Sequence, residues 1–255
     1  MSQIIAKEVY PLMTSNHQLV ALQFQYATKS FKENFETLSR LVKNTQENSI
    51  ILAPELCLSG YDYENLDANT KHAQHFLPQI CELSKARILA LTIAENLEGK
   101  YYNNVKIFFD GREIYSRAKA RLFHLGDEEK YFTEGSDDRI DIIEVAGIKI
   151  AILLCFELRF LELWERAKGA DIIFVPAYWA KKRKYQLQTL ANGLAIMNQC
   201  YVMVANSSDE TMAANACVID PFGVITKDDT QEHINAPFDV SLIKKMRRYI
   251  NVGLE

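Results

Sequence analysis

Short, almost uninterrupted apolar runs recur along this chain, and most are followed by a stretch of helical period. Leu19-Val20-Ala21-Leu22-Gln23-Phe24, residues 49–53, residues 148–154 and residues 171–175 are the clearest of them. A strand that is apolar on both faces must be covered on both, which takes a buried sheet with helices outside it. Residues 30–44 supply one such helix, with Phe31, Phe35, Leu38, Leu41 and Val42 at helical spacing and Ser30 as N-cap. Further helices are expected between Thr70 and Lys85, over 182–198 and over 241–249. Another is expected after Cys155, through Phe160, Leu161, Leu163, Trp164 and Ala167, closed by Gly169.

The middle of the chain reads differently. Asp110-Gly111 and Ala146-Gly147 sit between apolar runs, at 105–109 and 113–116 and at 140–145 and 148–154, and a two-residue turn of that kind closes a hairpin. Residues 88–93 read as one more strand, and three or four follow between the long helix and Phe238. Parallel and antiparallel signals together predict a mixed α/β fold of the α+β type, with two sheets packed on each other and helices outside. No repeat or Pro/Gly/Ser-rich linker divides the chain, and 255 residues suit one large domain, so residues 1–255 are read as a single unit.

Charge narrows the partners. With 29 basic against 33 acidic residues the net charge is −4, so no global basic field recruits nucleic acid or an anionic membrane. No apolar run approaches the roughly 20 residues that span a bilayer, and the first residues lack a signal-peptide core. Five scattered cysteines with no C-x-x-C pair argue for a reducing, cytoplasmic setting. His72-x-x-His75 has zinc-like spacing but falls on an expected helix surface, and neither a metal nor a cofactor is expected.

Three residues stand where chemistry could be done. Cys155 ends an apolar strand at a turn into a helix, where backbone N–H groups favour a thiolate; it is equally placed to be a small buried hydrophobe. Glu55 ends the run Leu52-Ala53-Pro54, and a carboxylate beside buried strands needs partners that can also make it a base. Lys119, in Arg117-Ala118-Lys119-Ala120-Arg121, is by itself an ordinary surface lysine or the cation that a tetrahedral intermediate needs.

Their order and surroundings resemble the nitrilase, or carbon–nitrogen hydrolase, superfamily. Residues 52–61, LAPELCLSGY, look like its block around a catalytic glutamate; residues 117–123, RAKARLF, are similar to its Y-R-K-x-H-L-F; residues 128–135, EEKYFTEG, resemble E-x-x-Y-F-x-x-G; and residues 155–160, CFELRF, are similar to C-Y-D-L-R-F. Gly169 to Ala177 and Ile219-Asp220-Pro221-Phe222-Gly223 continue the pattern, which covers about residues 18–249. The resemblance implies a four-layer αββα sandwich and a Glu55–Lys119–Cys155 triad. Cys155 attacks an amide carbonyl, Glu55 moves the protons, and Lys119 with the N–H of Phe156 holds the oxyanion. Glu128, Tyr61 and Trp179 are expected to support the site or contact substrate, with Glu129 competing for the place of Glu128. Arg159 is expected to anchor the nucleophile loop.

The implied reaction is hydrolysis of a small linear carboxamide, an ω-amide among the candidates, with release of ammonia. Hydrolysis of an N-carbamoyl amine or amino acid is the alternative, a catalytically silent binding subunit is a reading of another class, and a Cys–His hydrolase using His124 or another histidine as base is a third. Leu194 and Met197 stand where the family carries an arginine and a glutamate, Ala214-Asn215-Ala216 where G-x-S is common, and Arg121 where histidine is usual. Lys181-Lys182-Arg183-Lys184 is either a basic lip for a carboxylate-bearing substrate or a solvated helix start or oligomer contact. The resemblance also implies a homodimer paired through helices beside the site.

Overall fold

The computed structural model describes residues 17–136 and 140–254. The fifteen or so residues before the first strand, to which the sequence assigns no role, lie outside that range. Seven elements make the first half: β1 (Gln18–Leu22), α1 (Phe31–Lys43), β2 (Ser49–Leu52), α2 (Leu66–Leu83), β3 (Ile88–Leu97), β4 (Lys100–Phe109) and β5 (Arg112–Ala118). The second half holds β6 (Ile143–Val145), β7 (Ile148–Ile152), α3 (Leu161–Arg166), β8 (Ile172–Pro176), α4 (Lys184–Asn198), β9 (Tyr201–Ala205), β10 (Cys217–Ile219), β11 (Ile225–Lys227), β12 (His233–Pro237) and α5 (Val240–Tyr249).

Two six-stranded mixed sheets result, ordered β12-β1-β2-β3-β4-β5 and β11-β10-β9-β8-β7-β6. In each, three parallel strands form the middle: β1, β2 and β3 in one, β7, β8 and β9 in the other. The two-residue period of a strand sorts their side chains. Leu19, Ala21, Ile50, Leu52, Ile88 and Ala90 join the core between the sheets, while Val20, Leu22, Ile51, Leu89 and Leu91 pack under α1 and α2 with Leu38, Leu41, Ala73 and Ile80. Leu187, Ala191, Leu194 and Ala195 of α4 cover the second sheet. The αββα sandwich is therefore present, held by strands that are apolar on both faces. Ser30 caps α1 as expected, accepting from the Glu33 N–H while the Glu33 carboxylate takes the Ser30 N–H.

Three features depart from the sequence reading. The strands β3 and β4 each run ten residues and close on a tight turn at Glu98-Gly99, with φ of +53° and +82°. The polar stretch around Asn96 to Asn104 hid that hairpin, because its lower half faces the site described below. The strand expected from Ile140 begins at Ile143, although Ile140 is itself buried. Cys155 enters no α-helix: residues Cys155–Arg159 form a 3₁₀ turn, and α3 is only six residues long. A helix dipole is thus not aimed at the thiol.

Candidate active site

The parallel strands β2, β7 and β8 all end at one edge of the sandwich, the usual place for a site in such sheets. Glu55, Cys155 and Trp179 each stand three residues beyond one of those ends. Lys119 follows β5 directly, and its N–H and C=O are tied to Asn103 and Gly135 at 2.8 and 2.7 Å. Gly135 has to be glycine, since a Cβ there would lie 2.7 Å from the carbonyl oxygen of Ala118.

The structure brings Glu55, Lys119, Glu128 and Tyr61 into one buried cluster. The Lys119 ammonium donates to Glu55 Oε1 at 2.7 Å and to Glu128 Oε1 at 2.8 Å, and lies 3.5 Å from the Tyr61 hydroxyl. Tyr61 itself donates to Glu128 Oε1 at 2.9 Å, and Asn103 Nδ2 to Glu55 Oε1 at 2.9 Å. The other carboxylate oxygens, Oε2 of Glu55 and of Glu128, take no hydrogen bond among the described residues. Between the two glutamates flagged in sequence the choice is clear: Glu128 is buried on Lys119, whereas Glu129 is turned to His124 at 3.4 Å.

Electrostatics follow from this geometry. Burial works against the Lys119 charge, but Glu55 and then Glu128 outweigh it, and the pKa of the ammonium rises. Burial also raises the Glu128 carboxyl, opposed by Lys119 and reinforced by Glu55. Cys155 is buried, 6% exposed as a residue. Burial first, then the Glu55 carboxylate, push it well above its ordinary pKa, against the pull of Lys119. The resting thiol is neutral and faces a carboxylate with a free acceptor.

Backbone shape reinforces the placement. Cys155 has φ of +49° and Leu56, next to Glu55, φ of +46°, both in the left-handed region that side chains other than glycine avoid. The turn carrying Cys155 is held from beneath by Glu157, whose carboxylate accepts the Leu154 N–H at 2.6 Å and a bidentate pair from Arg117 at 2.8 and 2.6 Å. Glu157 and Arg117 thus do the anchoring that the sequence reading gave to Arg159. Arg159 points the other way, its guanidinium 4.5 Å over the Trp179 ring and bonded to Gln186.

The pocket above Cys155 has two lobes. The inner one is walled by Phe123, Phe156, Arg159, Tyr178, Trp179 and Arg183. The outer one, of about 330 Å³, adds Tyr61, Tyr63, Leu125, Glu128, Lys182 and Met212 and opens to solvent. That volume is at the small end for ligand sites. Of the basic quartet, Arg183 packs 5.2 Å from the Phe123 ring at the pocket wall, Lys182 lines the mouth, and Lys184 is paired with Asp229. The Arg159 pKa is lowered, by burial and then by Arg183, so two cations share this wall. Trp179 is fixed through its backbone, which donates to Asn206 Oδ1 at 2.8 Å and accepts from Asn206 Nδ2 at 3.2 Å.

The remaining expectations sort by position. His124, its side chain 76% exposed, sits with Glu129 instead of the thiol, and no histidine lines the pocket at Cys155 among the described residues. The rings of His72 and His75 pack on Phe31 and Phe76. Arg121 reaches toward Glu162 and the Phe160 ring. Leu194 is buried in the core while Met197 is 68% exposed, so the two replaced charges are not neighbours in one buried pair. Sequence reasoning missed Asn103, Asn206, Arg117 and Glu157 as site-building residues. Consecutive asparagines at 103 and 104 inside an apolar strand pattern were the available signal for the first.

Residues 19–248 match the carbon–nitrogen hydrolase family. A 2-oxoglutaramate amidase of Bacillus subtilis is 30% identical over 246 residues, spanning 91% of this chain and 94% of its own. A deaminated glutathione amidase of Escherichia coli O157:H7 is 27% identical over 81% of this chain and 84% of its own. Among solved structures, Saccharomyces cerevisiae Nit3, a member of branch 10 of the nitrilase superfamily, superposes with a TM-score of 0.82 at 22% identity, covering 94% of this chain and 96% of that one. At that identity the likeness speaks for the fold.

Proposed function

The chain belongs to the carbon–nitrogen hydrolase family, and from that premise we propose that it is a thiol amidase hydrolysing a small linear carboxamide that carries a carboxylate at its far end. The observation that carries the reading is the buried Glu55–Lys119–Glu128 cluster set against the Cys155 thiol, in a pocket whose other wall holds Arg159 and Arg183. The amidase names of the relatives agree with it, since 2-oxoglutaramate is an amide with a remote carboxylate.

The reaction follows from the positions. Glu55 takes the thiol proton as Cys155 Sγ attacks the carbonyl carbon, so a neutral resting thiol is no obstacle. The oxyanion that forms is held by the Lys119 ammonium and the N–H of Phe156. Glu55 returns the proton to the departing nitrogen, the C–N bond breaks, and ammonia leaves behind a thioester. Glu55 then takes a proton from water, hydroxide adds to the thioester, and the carboxylic acid and the thiol are released. Glu128 and Tyr61 keep Lys119 aimed at the oxyanion. Arg159 and Arg183 pair with the distant carboxylate and so place the amide over Cys155.

The test is ammonia release from a panel of ω-amides, neutral aliphatic amides and N-carbamoyl compounds, run beside Cys155→Ala. Turnover of the ω-amides, absent in the variant, is expected. Equal turnover of neutral amides removes the carboxylate from the reading, and silence across the panel removes the amidase. A homodimer is proposed as well, supported by apolar side chains left exposed on and beside α3 and α4, among them Leu161, Tyr185, Met197 and Val224. Light scattering that finds only a 29.2 kDa species would end that proposal.

A further inference from the structure

Arg117 and Glu157 do not line the pocket, yet they touch the backbone on both of its sides. Glu157 Oε2 accepts the N–H of Leu154, the residue before the nucleophile, at 2.6 Å. Its Oε1 accepts the N–H of Ala120, the residue after the lysine, at 2.7 Å. Arg117 closes the arrangement: besides its two bonds to Glu157 it donates to the carbonyls of Ile152 at 2.9 Å and of Ala118 at 3.1 Å. Both side chains are buried, 1% and 0% exposed. One carboxylate therefore joins the ends of β5 and β7, which belong to different sheets and share no strand pairing.

An ion pair at that depth is a poor way to gain stability, because an apolar pair of like volume often does as well or better. What it does supply is fixed geometry. Cys155 has to be held in a left-handed conformation that relaxes unless its neighbours over-determine it. The Lys119 ammonium must meet the oxyanion that forms when Cys155 attacks, and a misplacement of about 1 Å costs about 100-fold in rate.

We propose that the Arg117–Glu157 pair is the positioning device of this site, setting Cys155 Sγ and Lys119 Nζ at their working separation without touching substrate. The proposal rests on Cys155 and Lys119 acting as described under the proposed function. Because the pair acts on the alignment of attack and oxyanion, its loss falls on kcat and leaves KM nearly alone. Because it also keeps the thiol near the Lys119 charge, its loss moves thiol ionisation to higher pH.

Three variants separate positioning from mere support. Glu157→Asp keeps the charge and shortens the reach, and kcat falls about tenfold; Glu157→Gln gives up the charge, and kcat falls about 100-fold. Glu157→Gln also strands the Arg117 cation and lowers the melting temperature. The double variant Arg117→Met with Glu157→Gln removes that stranded charge, recovers the melting temperature, and does not recover kcat. In parallel, the pH profile of Cys155 alkylation by iodoacetamide, read by mass spectrometry, shifts upward in every variant that folds. A double variant with wild-type kcat, a loss confined to KM, or an unmoved alkylation profile in Glu157→Asp overturns the proposal. Alkylation needs no amide, so if the wild-type enzyme hydrolyses nothing in the panel, the profile alone still decides the positioning role.

Discussion

The two walls of the pocket are built on opposite principles. The wall from the first half of the chain is a closed ionic cluster: Lys119 sits between Glu55 and Glu128, all three buried, and the carboxylates accept further hydrogen bonds, Glu55 from Asn103 and Glu128 from Tyr61. The wall from the second half brings a neutral thiol and two guanidiniums, Arg159 and Arg183, with no carboxylate bonded to either among the described residues. Under the proposed function, the groups that act on the bond are immobilised before substrate arrives, which spares reorganisation in the transition state. The groups proposed to select the substrate are left with charge to spare, for the substrate's carboxylate to neutralise.

If that contrast is right, damage to the closed cluster or to the thiol it faces destroys the chemical step. Cys155→Ala should lower kcat by on the order of 10³-fold or more while changing the melting temperature little, since the side chain only shrinks at a pocket floor. Glu55→Gln should cost about 10²–10⁴-fold, the range for losing a general base. Stopped-time ammonia assays check both, and near-normal turnover in Glu55→Gln would break the comparison outright.

Lys119→Met should harm both activity and fold. It leaves two buried carboxylates facing each other, a change that costs about 3–5 kcal/mol when one partner of a buried pair is removed. Its sign with pH is fixed by the raised Lys119 pKa. A cation whose pKa is higher in the folded state contributes stability fully below the unfolded lysine value of about 10.4, and loses it only as pH rises through the folded value. The gap in melting temperature between wild type and variant should therefore hold between pH 7 and pH 10 and narrow only above it. A gap that closes near pH 8 would mean that Lys119 is not the charge that keeps the cluster together.

How much of this could be read in advance differs between the walls too. Glu55, Lys119 and Cys155 were each weak alone, and became legible because several blocks fall in one order along the chain. The sandwich was legible because strands such as β2 and β8 are apolar on both faces, which leaves few alternatives to burial between layers. The β3–β4 hairpin was not, because Asn103, which donates to Glu55, and the polar residues around the Glu98-Gly99 turn break the apolar pattern. Arg117 and Glu157 were invisible as a pair since they are 40 residues apart and each looks locally like a solvated charge. Arg159 was misplaced for a related reason: spacing gives the residue, whereas the ring of Trp179 decides which way its guanidinium turns.

The open wall should fail gently and selectively. Arg159→Met is expected to raise KM for a carboxylate-bearing amide about tenfold, as a charge-assisted hydrogen bond at a partly exposed site is worth about 1.5 kcal/mol. Turnover of a neutral amide such as butyramide should be unchanged. Equal losses on charged and neutral substrates would assign Arg159 to the fold instead of the pocket.

Arg183→Met should do the same by a smaller factor, about threefold to fivefold, because its guanidinium stands farther toward the mouth and pairs across a more hydrated gap. Distance from Cys155 also makes its effect the more sensitive to salt. Raising ionic strength from 0.01 to 0.15 M shortens the Debye length from about 30 to about 8 Å. The KM of the wild-type enzyme for the charged amide should then rise, and that of Arg183→Met should rise less. If the two salt profiles coincide, Arg183 does not meet the carboxylate. The second wall then reduces to Arg159 alone, and Lys182 with Arg183 belongs to the solvated start of α4.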